Sequence, residues 1–400
     1  MLTTAEASQA ILAAVRPVAT EQVTLEQATG RVLQQKVVAE RDQPPFDRVM
    51  MDGIALSFAA FDSGQRAFPL QGMQAAGDEV LSLEAGKAIE IMTGASLPDG
   101  ADCIVPVERI TVAEGIATIA DDYPAKPRQF IHARGSDHRQ GTELLQPGKR
   151  ISANEIAIIA SAGLAELTVA CKPAVSVLST GNELVAAGQP IEPHQVRLSN
   201  GPAIVAMLAE HGFDQAKHEH LVDDIETLKT RIAKHLDESS VLVLSGGVSM
   251  GKADYVPRVL KELGVEVHFH KISQRPGKPM WFGTGAEGQA VFALPGNPVS
   301  TLVCCRQYVV PALYHLSGLP AAAPQFAALT QPVNFAPQLT NFLPVRVLSN
   351  AAGGVLALPV PTNTSGDFTA LSGTDGYVEL AREQEHFPAG SVVPLHRWRL

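Results

Sequence analysis

The sequence has few cysteines, few aromatic residues and no run of basic residues. Its four cysteines form no CxxC pair, so in a chain of 400 residues we expect no disulfide framework, and we expect a reducing cytoplasm. Aromatic residues make up 5% of the chain, while glycine and proline number 33 and 28, which indicates many turns and aliphatic α/β cores. The net charge of −10 argues against non-specific binding to nucleic acid or to a membrane surface.

We also expect no segment that targets or anchors the chain. The first apolar stretch has no basic segment before it and is interrupted by Arg16, so we expect no signal peptide. No apolar run reaches the roughly 20 residues that a membrane-spanning helix needs.

Cys304 and Cys305 lie within an apolar helical pattern, so we expect both in a protein core.

The pattern of apolar residues changes along the chain, and the length predicts several domains. Capping-box patterns at residues 3–6 and 152–155 predict two helix starts. Short, glycine-broken runs over residues 53–138 predict a small β-rich domain. After Lys172, strands and helices alternate, which predicts a parallel sheet. Beyond Pro324, short runs with frequent turns predict a small β-barrel or sandwich.

One stretch stands out because a buried strand runs directly into glycines. Residues 241–244 form an unbroken apolar run, typical of a parallel strand covered on both faces. Glycines after such a strand let backbone N–H groups turn toward an oxyanion. The residues of this loop are Ser245, Gly246, Gly247, Ser249 and Gly251.

Asp254 follows this loop at once, although an anion does not favour a neighbouring carboxylate. A divalent cation between the two would reconcile them, since hard cations bind oxygen from both carboxylate and phosphate. The alternative is an ordinary glycine turn in which Asp254 caps the next helix. Taken alone, a GG turn favours the alternative.

Three further loops follow predicted strands and favour a ligand site. The first contains Thr180, Gly181 and Glu183 after a strand at 174–178. The second places Arg275 and Lys278 in a stiff proline loop. The third runs from a strand at 290–294 to a helix start, which favours negative charge; it comprises Pro295, Gly296, Asn297 and Pro298.

In an open parallel sheet, ligands bind beyond the carboxyl ends of the strands. These loops combine backbone donors, the carboxylates Glu183 and Asp254, and the cations Arg275 and Lys278. They lack the Walker pattern and the dinucleotide fingerprint. The residues alone therefore predict a metal-assisted site for a phosphorylated ligand such as a nucleotide.

Other polar residues leave two interpretations open. Asp52 with Arg48, and Thr93, are consistent with a polar site, but turn and edge positions are more common for such residues. The residues 199–202 predict a well-capped helix start. Two i,i+2 histidine pairs at 218/220 and 268/270 have no third ligand, so an exposed strand face is the preferred interpretation.

Five motifs carry a resemblance to a known family. SGGVSMGKADY, STGNEL, RPGKP, LPGNPVS and PPFDRVMMDG, in this spacing, resemble the MoeA family, the molybdopterin molybdenumtransferases of molybdenum-cofactor synthesis, related to the E domain of gephyrin. The resemblance covers essentially the whole chain. It implies a cytoplasmic homodimer that inserts molybdate into adenylylated molybdopterin with Mg²⁺, releasing AMP. It also implies a molybdopterin adenylyltransferase as functional partner, and neither a nucleic acid nor a membrane partner.

The implied fold is a multidomain α/β architecture. It combines a doubly wound, mainly parallel molybdopterin-binding domain with a β-rich lobe, a small α+β connecting domain and a C-terminal β-barrel. We expect the connecting domain at 1–40 with 141–171, the β-rich lobe at 41–140, the α/β domain at 172–319 and the barrel at 325–400.

The resemblance also implies roles for individual residues. Asp254 and Glu183 resemble the metal-binding carboxylates, and they are expected to be catalytic together with Lys278, Arg275 and Asp52. The remaining residues are expected to bind the molybdopterin substrate, molybdate or phosphate: Gly246, Gly247, Ser249, Gly251, Thr180, Gly181, Pro295, Gly296, Asn297, Pro298, Thr93, Asp137, Asp223, Asp224, Arg346 and Ser365. Of these, Thr93 and Asp137, with Asp52, are expected to reach across the dimer.

The sequence departs from the family pattern at two positions. Ile54 stands where the family usually has tyrosine, and Arg275 stands where lysine is more common. Arginine keeps the charge and adds a planar fork, so altered geometry is expected rather than lost binding. Two other functions stay open at this stage: a molybdopterin carrier or scaffold, and a molybdopterin adenylyltransferase.

Overall fold

The computed structural model describes residues 1–247 and 255–399, and the chain divides into two units. The larger unit comprises Met1–Gln34, Pro147–Ile151 and Leu167–Leu400, and the smaller comprises Gln35–Gln146 and Ser152–Glu166. Of the predicted site residues, Ser249, Gly251 and Asp254 lie outside the described residues. The domain boundaries given above stay a prediction.

The α-helices of the described residues are, in chain order, α1 (Thr4–Ala14), α2 (Phe58–Asp62), α3 (Ala153–Ser161), α4 (Asn200–Glu210), α5 (Ile225–Glu238), α6 (Val256–Glu262), α7 (Pro298–Cys304) and α8 (Val310–Leu316). Short 3-10 helices lie at Leu25–Gln27, Val107–Arg109 and Phe368–Leu371. Thr3 and Ser152 both form the predicted capping boxes, each with the glutamate three residues on.

The strands are, in chain order, β1 (Thr20–Thr24), β2 (Val37–Val38), β3 (Arg48–Val49), β4 (Gly53–Leu56), β5 (Ala67–Gln74), β6 (Ala88–Ile91), β7 (Cys103–Pro106), β8 (Ile110–Ala113), β9 (Ile116–Ile119), β10 (Ile131–His132), β11 (Glu143–Leu145), β12 (Glu166–Ala170), β13 (Val175–Thr180), β14 (Leu184–Val185), β15 (Val196–Arg197), β16 (Lys217–Leu221), β17 (Val241–Ser245), β18 (Glu266–His270), β19 (Gln274–Arg275), β20 (Trp281–Thr284), β21 (Ala290–Leu294), β22 (Gln325–Leu329), β23 (Val333–Asn334), β24 (Thr340–Ser349), β25 (Val355–Pro359), β26 (Gly376–Leu380), β27 (His386–Phe387) and β28 (Val392–Arg397).

The predicted doubly wound sheet is confirmed. Its strand order is β16-β13-β17-β21-β20-β18, with the first four strands parallel and the last two antiparallel at one edge. The strand β17 is buried on both faces: Val241 and Val243 pack with residues of α1, α4 and α8, whereas Leu242 and Leu244 pack with α5 and α6. Helices on both faces explain why this strand is apolar throughout rather than alternating.

The helix predicted to start after the 295–298 loop forms, and it has a local irregularity. The helices α7 and α8 are joined by a π-helical turn at Cys305–Val309. Cys304 and Cys305 are both 0% exposed, as predicted for core residues.

The C-terminal strands close into a barrel. Pairing runs from β24 to β25, β22, β28 and β26, and β26 returns to β24. This closed ring confirms the barrel rather than the sandwich. One further strand joins its edge: β19 pairs in parallel with β24, with Arg275 opposite Asn341. The proline loop with the two cations is therefore hydrogen-bonded to the barrel at its first residues.

The smaller unit contains the β-rich lobe. A mixed six-stranded sheet has the order β7-β4-β6-β5-β9-β8. Its core includes Ile54, which is 0% exposed and pairs with Glu90 and Val105 on the neighbouring strands. Isoleucine at this position is thus a core residue of the sheet, so its side chain is not available to a ligand.

Candidate active site

A cleft lies where three parallel strands of the doubly wound sheet end, and we call it the strand-end cleft. Its volume is about 410 Å³. The strands β13, β17 and β21 supply its floor, and α4 begins beside it. The described residues that line it are Ser179, Thr180, Glu183, Leu184, Val196, Arg197, Leu198, Ser199, Asn200, Ser245, Gly246, Gly296, Asn297, Pro298 and Phe368.

Glycine is required where β17 enters this cleft. Gly246 has φ +98°, and a Cβ there would lie 2.5 Å from the carbonyl oxygen of Thr180. Gly247 has φ +64°, and its Cβ would lie 2.8 Å from the Thr180 hydroxyl. That hydroxyl is buried and has no hydrogen-bond partner among the described residues. A buried polar group without a partner is rare, so this hydroxyl is a candidate ligand contact.

Asn200 holds two strand ends together, and the sequence did not indicate this. Its amide nitrogen donates to the Ser245 hydroxyl at 3.0 Å and to the Gly296 carbonyl at 2.8 Å. The helix start at residues 199–202 was predicted correctly, but the good cap was wrong, because Ser199 makes no side-chain cap bond. In the sequence, an asparagine at the start of a helix indicates a helix cap, so it does not predict bonds to neighbouring strands.

Glu183 lies on the rim of the strand-end cleft. Its side chain is exposed, and β14 and β15 follow it as a short parallel pair that we call the strap. Arg197 in the strap donates to the carbonyl oxygens of Ala186 and Gln189, at 2.9 and 2.7 Å. Among the described residues, no group of three potential metal ligands of the His, Cys, Asp or Glu type is present.

The two aspartates after β16 differ in their surroundings. Asp224 caps α5, accepting from the backbone N–H of Thr227 at 2.8 Å, and this bond lowers its pKa. The backbone N–H of Asp223 donates to the side-chain oxygen of Asn182 at 3.0 Å. Neither aspartate lines the strand-end cleft. The capping bond engages one oxygen of the Asp224 carboxylate.

The exposed strand face predicted for the histidine pairs holds for His220 and His268 but not for His218. His218 is partly buried, and its Nε2 lies 3.0 Å from the Ser179 hydroxyl. His220 Nε2 lies 2.9 Å from the Gly181 carbonyl oxygen. These two histidines therefore hydrogen-bond to residues at the end of β13.

A second cleft of about 380 Å³ lies between the doubly wound domain and the barrel, and we call it the barrel cleft. Arg275 and Ser365 line it, together with Thr362, Thr364 and Asn341. Arg275 is exposed, has no ion-pair partner among the described residues, and lies 5.9 Å from the Phe335 ring centroid. Its charge is therefore available to an anion.

A hydrogen bond joins the walls of the two clefts. Asn297, which lines the strand-end cleft, donates from its amide to the Ser365 hydroxyl at 2.7 Å. The backbone N–H of Val299 also donates to the Ser365 carbonyl oxygen at 3.0 Å. Two other predicted anion ligands line neither cleft: Lys278 is exposed, and Arg346 lies beside Gly373.

In the smaller unit, Asp52 and Thr93 are bonded to each other. The hydroxyl and the backbone N–H of Thr93 both donate to the same Asp52 oxygen, each at 2.7 Å. These bonds lower the pKa of the exposed Asp52 carboxyl, with the hydroxyl as the largest cause. Gly53, which follows, admits no side chain, because a Cβ would lie 2.0 Å from the Val105 carbonyl oxygen.

We expect Thr93→Val to raise the pKa of Asp52 toward that of a free aspartate, because the hydroxyl donor is lost while the N–H remains. A carboxyl whose pKa is lowered in the folded state keeps its bonds above that pKa and loses them as the pH falls through it. NMR titration of the Asp52 carboxyl carbon measures the change. Thr111→Val, at an exposed residue of β8, is the control. An unchanged pKa in Thr93→Val would contradict the assignment.

Asp137 is held through a histidine. The Arg48 guanidinium lies 3.0 Å from His132 Nδ1, and His132 Nε2 lies 3.0 Å from Asp137. Arginine can only donate, so His132 Nδ1 accepts and its Nε2–H donates to the carboxylate. Arg48, which the sequence left open, therefore acts on Asp137 through His132.

Comparison with known proteins agrees with these observations. The profile of the MoeA N-terminal region (domain I and II) matches residues 2–163, a "probable molybdopterin binding domain" matches 176–315, and the MoeA C-terminal region (domain IV) matches 327–398. The molybdopterin molybdenumtransferase of a Synechocystis strain is 38% identical over 371 residues, covering 92% of this chain and 93% of that protein. The chain belongs to the MoeA family.

Other members of the MoeA family match at greater distance. A Staphylococcus epidermidis molybdopterin molybdenumtransferase is 31% identical over 384 residues, covering 93% of this chain and 90% of its own length. The solved structure of the molybdopterin biosynthesis MoeA protein from Pyrococcus horikosii has a TM-score of 0.84 and 30% identity, covering 100% of both chains.

No helix in the described part of the chain is both long and apolar enough to span a membrane.

Proposed function

We propose that this chain inserts molybdate into adenylylated molybdopterin in a Mg²⁺-dependent reaction that releases AMP. The observation that carries the proposal is the adjacency of two clefts of different chemistry. The strand-end cleft has glycine-rich loops and the partnerless hydroxyl of Thr180, which suit a phosphate. The barrel cleft next to it carries the cation Arg275, which has no ion-pair partner among the described residues and suits an oxyanion such as molybdate.

The strand-end cleft is lined by both polar and apolar residues, and from these we propose an orientation for the substrate. The glycine loops at the strand ends suit its phosphates. Leu184 and Val196 of the strap, Leu198 after it and the aromatic ring of Phe368 are apolar residues of the lining. We therefore place a heterocycle of the substrate between the strap and Phe368.

Mg²⁺ is compatible with the residues at the strand-end cleft. It is usually held by one or two carboxylates together with substrate phosphates and water, so a complete protein cage is not needed. Glu183 supplies one exposed carboxylate on the cleft rim, and we assign Asp254 as the second. When bound, Mg²⁺ would neutralise phosphate charge. Glu183 orients that charge, while the Gly246 loop holds the phosphates through backbone N–H groups.

On the anion side, we assign Arg275 and Lys278, with Arg346 and Ser365 of the barrel, to molybdate. Ser365 bonds to Asn297, so a ligand bound in one cleft acts on the wall of the other. Molybdate and the pyrophosphate group of the substrate are both anions. Cations and Mg²⁺ must therefore gather locally in a chain whose net charge is −10.

We further propose a cytoplasmic homodimer in which Asp52, Thr93 and Asp137 complete the partner's site. Mixing Asp52→Asn protein with Glu183→Gln protein tests this. If the site is shared, mixed dimers contain one intact site, and activity returns to about a quarter of the wild-type value by statistical pairing. If each subunit is self-contained, mixing restores no activity.

A molybdopterin adenylyltransferase is the expected supplier of the substrate.

The function itself is tested by AMP release from adenylylated molybdopterin, with and without molybdate, in Mg²⁺ and in EDTA. The proposal predicts release only when molybdate and Mg²⁺ are both present. Tight binding without release under any condition would favour a carrier. ATP consumption with bare molybdopterin would favour an adenylyltransferase.

We expect Phe368→Ala to raise the KM for adenylylated molybdopterin by about tenfold, because stacking of a base on an aromatic ring contributes on the order of 1–3 kcal/mol. Phe368→Tyr keeps the ring and should stay near the wild-type value. Phe326 is a matched control, because it is 51% exposed against 45% for Phe368 and lines neither cleft. Equal KM values for Phe368→Ala and Phe326→Ala would rule out stacking on this residue.

A further inference from the structure

A buried glutamine lies directly before the cation of the barrel cleft. Gln274 is 0% exposed, and its amide nitrogen donates to the Pro276 carbonyl oxygen at 3.0 Å. The same nitrogen lies 3.4 Å from Cys304 Sγ, at the end of α7. Its side-chain oxygen accepts from the hydroxyl of Tyr308. A buried polar side chain held on both ends cannot rotate without losing hydrogen bonds.

Tyr308 comes from the π-helical turn. It is 1% exposed, and burial strongly raises the pKa of its phenol, so it stays a neutral donor. The π turn at Cys305–Val309 is an irregularity of the helix, and such turns are frequently found near functional sites. Here the turn contains the tyrosine that reaches the proline loop.

The glycine of this loop supports the same packing. Gly277 has φ +94°, and a Cβ there would lie 2.4 Å from Cys304 Sγ and 2.6 Å from the Gln274 amide nitrogen. The loop is therefore pressed against α7 with no room for a side chain. On its other side, β19 is hydrogen-bonded to β24 of the barrel.

Because Gln274 and Arg275 are neighbours on β19, the buried position of Gln274 determines the side to which Arg275 points. Successive side chains of a strand point to opposite faces, so an inward Gln274 requires an outward Arg275. Arg275 is exposed and lines the barrel cleft, and Lys278, after the buried Gly277, is exposed again. We infer that the Tyr308–Gln274 bond is a positioning device that fixes the cation loop for binding of a tetrahedral oxyanion. This inference rests on the proposed function of the barrel cleft.

The test is Tyr308→Phe, which removes only the hydroxyl and leaves Gln274 without its donor. We expect the KM for molybdate to rise by about tenfold, with kcat at saturating molybdate within about twofold of wild type. The matched control is Tyr377→Phe. Tyr377 is 0% exposed, and its hydroxyl donates to Gln307 at 2.7 Å rather than to Gln274. Both variants lose the hydrogen bond of a buried tyrosine hydroxyl, so a merely structural role would lower stability in both without a selective effect on molybdate.

Two further measurements separate this inference from the proposed function. Equilibrium dialysis with molybdate alone measures anion binding even if no AMP is released, and Tyr308→Phe should weaken it while Tyr377→Phe does not. In an Arg275→Ala background, Tyr308→Phe should have little additional effect. Equal molybdate affinities for the two tyrosine variants, an undiminished effect without Arg275, or no molybdate binding by the wild type would overturn the inference.

Gln274→Glu is a second variant, because it loses the donation to the Pro276 carbonyl oxygen. It should also weaken molybdate binding.

Discussion

Gly246→Ala is expected to lower kcat/KM for adenylylated molybdopterin by at least about 100-fold, since phosphate-binding donors must be placed accurately to be effective. Gly246 has φ +98°, and the new Cβ would lie 2.5 Å from the Thr180 carbonyl oxygen. That oxygen belongs to the end of β13, so the methyl group must push two strand ends apart. Both ends contribute to the cleft, and their spacing sets where the backbone N–H groups point.

The same substitution also costs stability. A non-glycine residue in such a backbone conformation costs on the order of 1–3 kcal/mol, before any steric contact is counted. Gly264→Ala separates the two effects, because Gly264 has φ +79°, no atom lies within 4 Å of its Cβ position, and it does not line the cleft. It should lower the melting temperature but keep activity. Normal activity in Gly246→Ala would contradict the proposed role of this loop.

Glu183→Gln is expected to lower the rate of AMP release on the order of 100-fold and to raise the Mg²⁺ concentration required, because a neutral amide is a weak Mg²⁺ ligand. The change keeps the shape of the side chain and removes one negative charge. Glu183 is exposed, so the free energy of unfolding should change by no more than about 0.5 kcal/mol.

The control for Glu183→Gln is Glu192→Gln. Glu192 is also exposed and lies in the segment that joins β14 to β15, but it does not line the cleft. The loss of charge is the same in both proteins, so a non-specific effect of net charge would appear in both. A wild-type rate and an unchanged Mg²⁺ dependence in Glu183→Gln would remove this carboxylate from the site.

The sheet and the location of its cleft were predictable because their signals are local. The apolar run at 241–244 predicted a doubly covered strand, and glycines at three strand ends predicted the edge of the sheet at which the cleft lies. Parallel strands bring their carboxyl ends to one edge of the sheet. Loops that are far apart in the sequence therefore meet without any further information.

Contacts that depend on the order of the strands could not be predicted in this way. Asn200 reaches Ser245 and Gly296 only because β17 lies beside β21 and α4 begins above them. The bond between Asn297 and Ser365 depends on how the barrel packs against α7. Nothing in the sequence near Tyr308 indicates a π turn or a partner 34 residues away. Such pairings are set by tertiary packing, which local sequence patterns do not encode.

The most direct test of the central claim is a single-turnover measurement of two products on the same sample. Adenylylated molybdopterin, molybdate and Mg²⁺ are mixed with excess protein, and AMP and molybdenum retained on the pterin product are both quantified. The account predicts one molybdenum incorporated for each AMP released, with neither product formed when molybdate is omitted. AMP release without molybdenum incorporation would identify a hydrolase and contradict the proposed transfer.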